Sequence, residues 1–412
     1  MSFKDLKLNK PILRAVANAG YDNPTLVQEK TIPFVLAKKD GIISAQTGTG
    51  KTAAFALPII QSLYDQQVAS KKGKKIKALV VSPTRELAVQ IAENFKTYTE
   101  FTNLTSTVIF GGTSVDPQKE ILKKGIDILI ATPGRLLDLH KQDAINLDYV
   151  ETLVLDEADL MLDMGFFDDV SKIERLCPKT KQTLLFSATI PFKVEQLANS
   201  ILKNPERIEV SQNSSTSKDV NQFLFYVPKK DKIELCLHVL RNSIKGQIII
   251  FRRTKYGVNK LEETLLKNGF NVSSLHGDKS QSDRQNALNS FKKKETNILI
   301  ATDVAARGID IDHLDAVVNF DLPSKPETYV HRIGRTARAG NTGNAYSLCS
   351  ADEKDYLKHI QQLIHVQLDV IDNHPYPLDP SAKKEVHKNP NKSKYKKGRK
   401  SENSKKKKKR WY

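Results

Sequence analysis

Ala45-Gln46-Thr47-Gly48-Thr49-Gly50-Lys51-Thr52 is the stretch around which the rest of the chain is organised. Gly41-Ile42-Ile43-Ser44, apolar and β-rich, runs into it, and Ala53-Ala54-Phe55-Ala56-Leu57 continues it as an apolar helical pattern. Strand, glycine loop and helix in that order form the arrangement that cradles phosphates on backbone N–H groups. Gly48 and Gly50 let those groups turn inward where a Cβ would clash. Lys51 supplies a cation for the β- and γ-phosphates of a nucleotide, and Thr52 supplies a hydroxyl for Mg²⁺. Ala45 stands where such loops usually open with glycine. The competing reading is a glycine turn between buried elements.

Downstream the same grammar repeats. Ala78–Ser82 is a continuous apolar run, fitting a strand buried on both faces, and ends in Pro83-Thr84-Arg85-Glu86. Thr107–Phe110 ends in Gly111-Gly112, and Asp127–Ala131 ends in Thr132-Pro133-Gly134-Arg135. Apolar strand, polar or glycine-rich turn and helix, repeated, predict a parallel α/β sheet whose ligands lie beyond the carboxyl ends of its strands. At one such end, after Thr152–Leu155, stand Asp156-Glu157-Ala158-Asp159. Asp156 is placed to hold a metal ion through water, and Glu157 to orient and deprotonate an attacking water. An acidic helix N-terminus explains one of these acids but not three in four residues. Thr183–Phe186 leads to Ser187-Ala188-Thr189, whose hydroxyls would couple the nucleotide to the rest of the molecule; a plain turn explains them equally well.

Upstream, Lys10 to Gly20 reads as an amphipathic helix with Ile12, Leu13, Val16 and Ala17 as its apolar stripe. Tyr21 to Gln28 follows, with Thr25 and Gln28 spaced as a helix cap and its partner. Gln28 has two readings here: a capping glutamine, or an amide facing adenine.

A chain of 412 residues is too long for one hydrophobic core, so two domains are expected. Ser211–Lys218 is polar and lacks large apolar residues, and is read as the linker. The strand-turn-helix grammar then restarts with Gln247–Phe251 before Arg252-Arg253-Thr254, Val272–Leu275 before His276-Gly277-Asp278, Asn297–Ala301 before Thr302-Asp303, and Ala316–Phe320. No second Gly-Lys-Thr loop occurs, so this half is not expected to bind nucleotide alone. Arg332, Arg335 and Arg338, spaced by three, fall on one face of a helix or tight turn and can carry positive charge to leaving phosphates. A salt-bridged surface helix is the bland alternative, against which Gly334, Ala337 and Gly340 argue for close backbone approach.

The net charge of +18 is uneven: Ser381–Tyr412 holds fifteen lysines and arginines against two glutamates, which is +13 of the total. Such a tail cannot build a core, is expected to be disordered, and suits a polyanion. Tyr395, Trp411 and Tyr412 within it can stack on bases; a solubilising tail is the alternative. Cys177, Cys236 and Cys349 are scattered, which argues against a disulfide framework or zinc site and for a reducing cytoplasm. Neither a signal-peptide core nor a membrane-length apolar run is present, so no membrane partner is expected.

The ordered set of stretches resembles the DEAD-box RNA helicases of superfamily 2 over roughly Phe3 to Ser350, and most resembles their bacterial RhlE-type branch. The resemblance implies an α/β fold of two RecA-like parallel-sheet domains in tandem: residues 1–210 with an adenine-reading segment at 1–29, a linker at 211–219, a second domain at 220–371 and a basic tail at 372–412. It implies ATP and Mg²⁺ as cofactors and RNA as the partner, in single strands or short duplexes and largely independent of sequence. Ribosomal or RNA-decay assemblies are open as its setting. Tyr21, Thr25 and Gln28 correspond to the adenine-reading segment, supported by Phe3, and Ala45 to Thr52 to the phosphate loop, where alanine is the family's usual opening residue. Asp156 and Glu157 take the metal and water roles, Asp159, Ser187 and Thr189 link hydrolysis to strand separation, and Asp310 contacts the ribose. Arg335 and Arg338 resemble the arginine fingers, with His331 bridging toward the first domain. RNA contacts are implied for Pro83, Thr84, Arg85, Gly111, Gly112, Thr132, Pro133, Gly134 and Arg135, and for Arg253, Thr254, Gly277, Gln281, Arg284 and Thr302. Ala337 departs from the family's usual glycine, and Arg252-Arg253 from a small or polar residue plus asparagine. A nucleotide-closed RNA clamp without catalysis and a DNA-directed motor are the rival readings.

Overall fold

The computed structural model describes residues 1–46, 48–69, 74–210, 220–306, 309, 311, 314–336, 343–379 and 381. Thr47, Asp310, Arg338, the 211–219 linker and the basic run after Ser381 lie outside the described residues.

Among the described residues, two sheets of seven strands each carry the chain. The first is built from β1 (Gly41–Ala45), β2 (Ala78–Val81), β3 (Ser106–Ile109), β4 (Ile128–Ala131), β5 (Thr152–Leu155), β6 (Gln182–Ser187) and β7 (Glu206–Val210). The second comprises β8 (Val220–Tyr226), β9 (Ile248–Arg252), β10 (Val272–Leu275), β11 (Ile298–Thr302), β12 (Ala316–Asn319), β13 (Gly343–Cys349) and β14 (Asp369–Val370). Their orders are β3-β4-β2-β5-β6-β1-β7 and β10-β11-β9-β12-β13-β8-β14, every pair parallel. Counted within each half, the two orders are identical. The expected α/β fold with two parallel sheets is present, and the halves repeat one topology.

Continuous apolar strands arise because both faces of each sheet are covered by helices. Along β2, Ala78 and Val80 enter one core while Leu79 and Val81 enter the other. Each leucine or valine among them contributes about 1.5–3 kcal/mol on leaving water. Alternation at the edges is different: β7 reads Glu-Arg-Ile-Glu-Val with its charged residues exposed, which discourages pairing with another chain. β7, β8, β13 and β14 are the strands that apolar runs do not reveal. β8 and β13 mix apolar residues with Asn, Gln, Ser and Tyr, yet pair over seven residues.

The helix Lys354–Ile364 closes the second sheet, and residues after it stay attached: Ile371 N donates to Leu224 O and Leu378 N to Tyr226 O. Cys177, Cys236 and Cys349 are free and buried, and burial pushes each thiol up to about 12. Among the described residues no helix is long and apolar enough to cross a membrane.

Candidate nucleotide and nucleic-acid site

β1 ends at Ala45, and the helix Lys51–Ala69 begins after the glycine loop. Gly48 and Gly50 have φ of +74° and +90°, a region L side chains rarely adopt. A Cβ on Gly50 would lie 2.3 Å from Gln28 Nε2, so the segment before the first sheet presses on the loop. Thr49 Oγ1 donates to Gln46 O at 2.7 Å, bracing the turn.

Gln28 is engaged at both ends of its amide. Its Oε1 accepts from Thr25 N at 3.0 Å, the capping arrangement, while Nε2 donates to Gly50 O at 3.2 Å. Thr25 Oγ1 donates to Thr49 O. Tyr21 stands at the same end, its hydroxyl 3.2 Å from that of Tyr98. Phe3 is buried in the core beneath this segment.

Lys51 Nζ reaches Glu157 Oε1 at 2.7 Å, both side chains being buried. Burial works against the ammonium, but Glu157 and Asp156 outweigh it and hold Lys51 above its ordinary range. Asp156 is pushed up to about 7, chiefly by burial, against the pull of Lys51 and with a push from Glu157. Its Oδ1 is buried without a hydrogen-bond partner. Glu157 has φ 53°, a left-handed backbone that costs a residue with a side chain about 1–2 kcal/mol. The turn that imposes it puts two carboxylates opposite the phosphate loop.

Asp159 ties this turn to the next strand end. Its Oδ2 accepts from Thr189 N at 3.1 Å and Thr189 Oγ1 at 2.9 Å. Ser187 Oγ accepts from Asp159 N and donates to Thr189 O.

A cavity of about 510 Å³ joins these parts. Tyr21, Thr25 and Gln28 line one end, Lys51, Thr52, Asp156 and Glu157 the other, and Ile309 and Arg335 of the second half close it. Arg335 is buried and donates from Nη1 to Ile309 O at 2.7 Å. A second cavity of about 540 Å³ also touches Glu157 and Arg335 and holds Asp159, Thr189 and His331. Sequence reasoning placed Arg332 on the same face as Arg335, and the structure corrects this. Arg332 Nε and Nη2 bind the two oxygens of Asp303 at 2.6 and 2.8 Å, and Nη1 reaches Asn319 and the Asp321 carbonyl. The helix ends at Ile333 and Arg335 sits in the turn beyond it, with partners different from those of Arg332.

The other strand ends assemble a cationic surface. The Arg85 guanidinium lies where a Cβ on Gly112 would be, 1.9 Å from Nη2, and Gly112 has φ +76°. A Cβ on Gly111 would be at ordinary contact with the same group; Pro83 and Thr84 are buried, Thr84 capping the helix Arg85–Tyr98. Arg135 is buried behind Thr132, Pro133 and the open Gly134, and donates to Thr113 O at 2.9 Å. Across the cleft, Arg85 Nη1 donates to Gln281 Oε1 at 3.1 Å, and Arg284 Nη2 lies 3.0 Å from Glu86 Oε1. Arg85 is held below its ordinary value by burial first, then by Arg284 and Arg135. Arg135 Nη1 and Arg284 Nε are buried donors without partners. Three guanidiniums against one buried carboxylate form a site short of negative charge. Gly277, Thr302, Arg253 and Thr254 stand at the ends of the adjacent strands β10, β11 and β9. Glu86, Ile309 and the Lys325–Asp163 bridge at 2.7 Å are site features that residue-type reasoning does not flag.

The DEAD/DEAH box helicase family profile matches residues 25–197, and the helicase conserved C-terminal domain matches residues 231–340. The DEAD-box ATP-dependent RNA helicase RhpA of Helicobacter pylori is 41% identical over 371 residues, 90% of this chain and 74% of that protein. The chain belongs to the DEAD-box ATP-dependent RNA helicases. Another relative of this helicase, the ATP-dependent RNA helicase DbpA of Bacillus subtilis, is 41% identical over 90% of this chain and 76% of its own length. Saccharomyces cerevisiae Dbp5 bound to RNA and ADP BeF3 superposes with a TM-score of 0.79 at 32% identity, covering 90% of the helicase and 95% of that chain. Mss116p bound to ssRNA and AMP-PNP gives 0.80 at 31%, covering 92% and 78%. Both halves of the helicase are thus RecA-like sheets in tandem.

Proposed function

We propose that this helicase closes its two halves around ATP and a single-stranded RNA backbone, prising apart short duplexes or remodelling ribonucleoprotein, and that hydrolysis reopens it. The observation that carries the reading is the cavity whose floor is the phosphate loop of residues 1–210 and whose roof is Arg335 from residues 220–371. A triphosphate there meets Lys51 and the N-terminus of the helix Lys51–Ala69 from below and a guanidinium from above. Arg335, with Arg338, neutralises charge that builds on the leaving phosphates, and His331 holds the second half to the first near Asp159 and Thr189. Asp310 meets the ribose, and Tyr21, Thr25 and Gln28 meet the base.

A divalent cation fits this site. The buried Oδ1 of Asp156 has no hydrogen-bond partner, Asp156 and Thr52 line the same cavity, and among the described residues no cluster of three acidic, His or Cys side chains stands ready to hold an ion without phosphate. Thr52 and Asp156 would hold Mg²⁺, which would neutralise the β- and γ-phosphate oxygens. Glu157, freed from Lys51, takes the proton of the attacking water. Asp159, Ser187 and Thr189 pass the change at that turn to the second half.

RNA phosphates and 2′-hydroxyls lie along Arg85, Gly112, Thr132, Gly134 and Arg135 and along Arg253, Thr254, Gly277, Gln281, Arg284 and Thr302. Contacts of this kind position a strand without reading its sequence. The basic run from Ser381 to Tyr412 adds salt-sensitive tethering. Three free, buried thiols suit the cytoplasm. Phosphate release stimulated by RNA but not by DNA of the same sequence is the expected result. Equal stimulation by both, or none by either, rejects the reading.

A further inference from the structure

Arg253 stands just past the end of β9, and the structure surrounds it with a network that residue spacing does not disclose. Glu353 is 2% exposed and lies one hundred residues away in sequence, in the turn after β13. Its Oε1 accepts from Arg253 Nη2 at 2.9 Å and from Leu322 N at 3.1 Å. Its Oε2 accepts from Ser350 N and Oγ and from Lys232 Nζ at 2.5 Å. Lys232 is itself buried and also donates to Phe320 O. A carboxylate this buried, with donors on both oxygens from four segments, cannot swing away.

Arg253 is held on several sides. Nη2 also donates to Leu322 O at 2.9 Å, the backbone N donates to Asp321, and the guanidinium lies 5.3 Å from the Tyr356 ring. The side chain nevertheless stays 45% exposed, and Nε and Nη1 bond to no described residue. Glu353 carries one negative charge against two cations, Lys232 and Arg253, and Asp321 is shared with Arg252 at 3.0 Å. The cation left under-neutralised is the exposed one. It stands at the end of β9, beside Thr254 and the end of β11.

We infer that Glu353 is a positioning residue for RNA binding: it clamps one nitrogen of Arg253 so that the others are presented, already ordered, to a backbone phosphate. The inference rests on the proposed reading of Arg253 as an RNA contact. Fixing a long cation in advance removes rotamer entropy that binding would otherwise have to overcome.

The test uses the full chain and a single-stranded RNA, titrated by RNA-stimulated ATPase at several salt concentrations. Glu353→Gln is expected to raise the half-saturating RNA concentration about tenfold, as for one charge-assisted hydrogen bond, with the maximal rate kept. The slope of log affinity against log salt is expected to shrink by about 0.7, the loss of one phosphate contact to a single strand. Glu353→Asp, which keeps the charge but withdraws the carboxylate, is expected to act in the same direction. Lys232→Met disturbs the same buried cluster but leaves Arg253 clamped, and is expected to lower the melting temperature with half-saturation within about twofold of the parent. If Lys232→Met weakens RNA as much as Glu353→Gln, the network is merely structural and the inference falls. If Arg253→Ala weakens RNA while both Glu353 variants bind normally, the inference falls and the RNA reading survives. If Arg253→Ala itself binds normally, the reading of Arg253 has failed, and the inference falls with it.

Discussion

Lys51 Nζ and Glu157 Oε1 form a buried ion pair at 2.7 Å, joining the phosphate loop to the acid proposed as the base. While that pair holds, the charge of each group is spent on the other, although both line the cavity. A triphosphate offers Lys51 a stronger partner, and the displaced carboxylate then becomes available. On the proposed reading, ATP binding and activation of the base are one exchange of partners.

Glu157→Gln is expected to bind ATP at least as tightly as the parent, because the amide competes less for Lys51. Hydrolysis in a single turnover is expected to fall about 10²- to 10⁴-fold, the usual worth of a general base. Fluorescent-nucleotide titration and quenched single-turnover assays check the two halves of this statement. Normal turnover would remove Glu157 from the proton-accepting role.

Arg284 and Glu86 meet at 3.0 Å across the cleft, so their charges help set the closed state. Arg284→Glu places like charges face to face and is expected to cut RNA-stimulated ATPase by about tenfold or more while ATP still binds. Combining it with Glu86→Arg is expected to restore part of the rate. A double variant no better than the single one shows that the pair does not help closure.

His276 Nε2 donates to Asn259 Oδ1 at 2.7 Å, while Nδ1 accepts from Asp278 N at 3.3 Å. An accepting Nδ1 makes the ring neutral, with its proton on Nε2 facing Asn259. Burial, then Lys279, hold its pKa below the ordinary 6.5. The unfolded chain thus binds more protons than the folded one as pH falls through the ordinary histidine value, and stability drops there. It is fully present above that value and is lost toward the lower, folded pKa. Melting temperature is expected to fall between pH 7.5 and 5.5, and to fall less in His276→Gln. An unchanged difference between those pH values would contradict the assignment.

Much of this site was legible in local sequence because each strand end carries its chemistry in the next few residues. The phosphate loop, Asp156-Glu157 and the Ser187–Thr189 turn needed no distant partner to be noticed. Arg332 misled because spacing by three does not disclose Asp303, which takes its guanidinium into the second half's own core while Arg335 reaches the cavity. Gln28 proved to be a cap, as its distance from Thr25 suggested, but its second bond to Gly50 depends on packing between segments. Glu86 and Glu353 were invisible for a related reason. An acid in a first helical turn looks like a dipole partner, and only the fold reveals the arginine opposite it. The edge strands β7 and β14 were hidden because one-sided pairing demands no continuous apolar run.

The central claim is that the front half hydrolyses ATP only when the back half delivers Arg335. Its most direct test is single-turnover ATP hydrolysis by Arg335→Ala at saturating RNA, with nucleotide affinity measured alongside. The account predicts affinity changed by only a few-fold and a rate lower by about 10³, the worth of an arginine finger. A rate equal to the parent's, with nucleotide and RNA both bound, would contradict it.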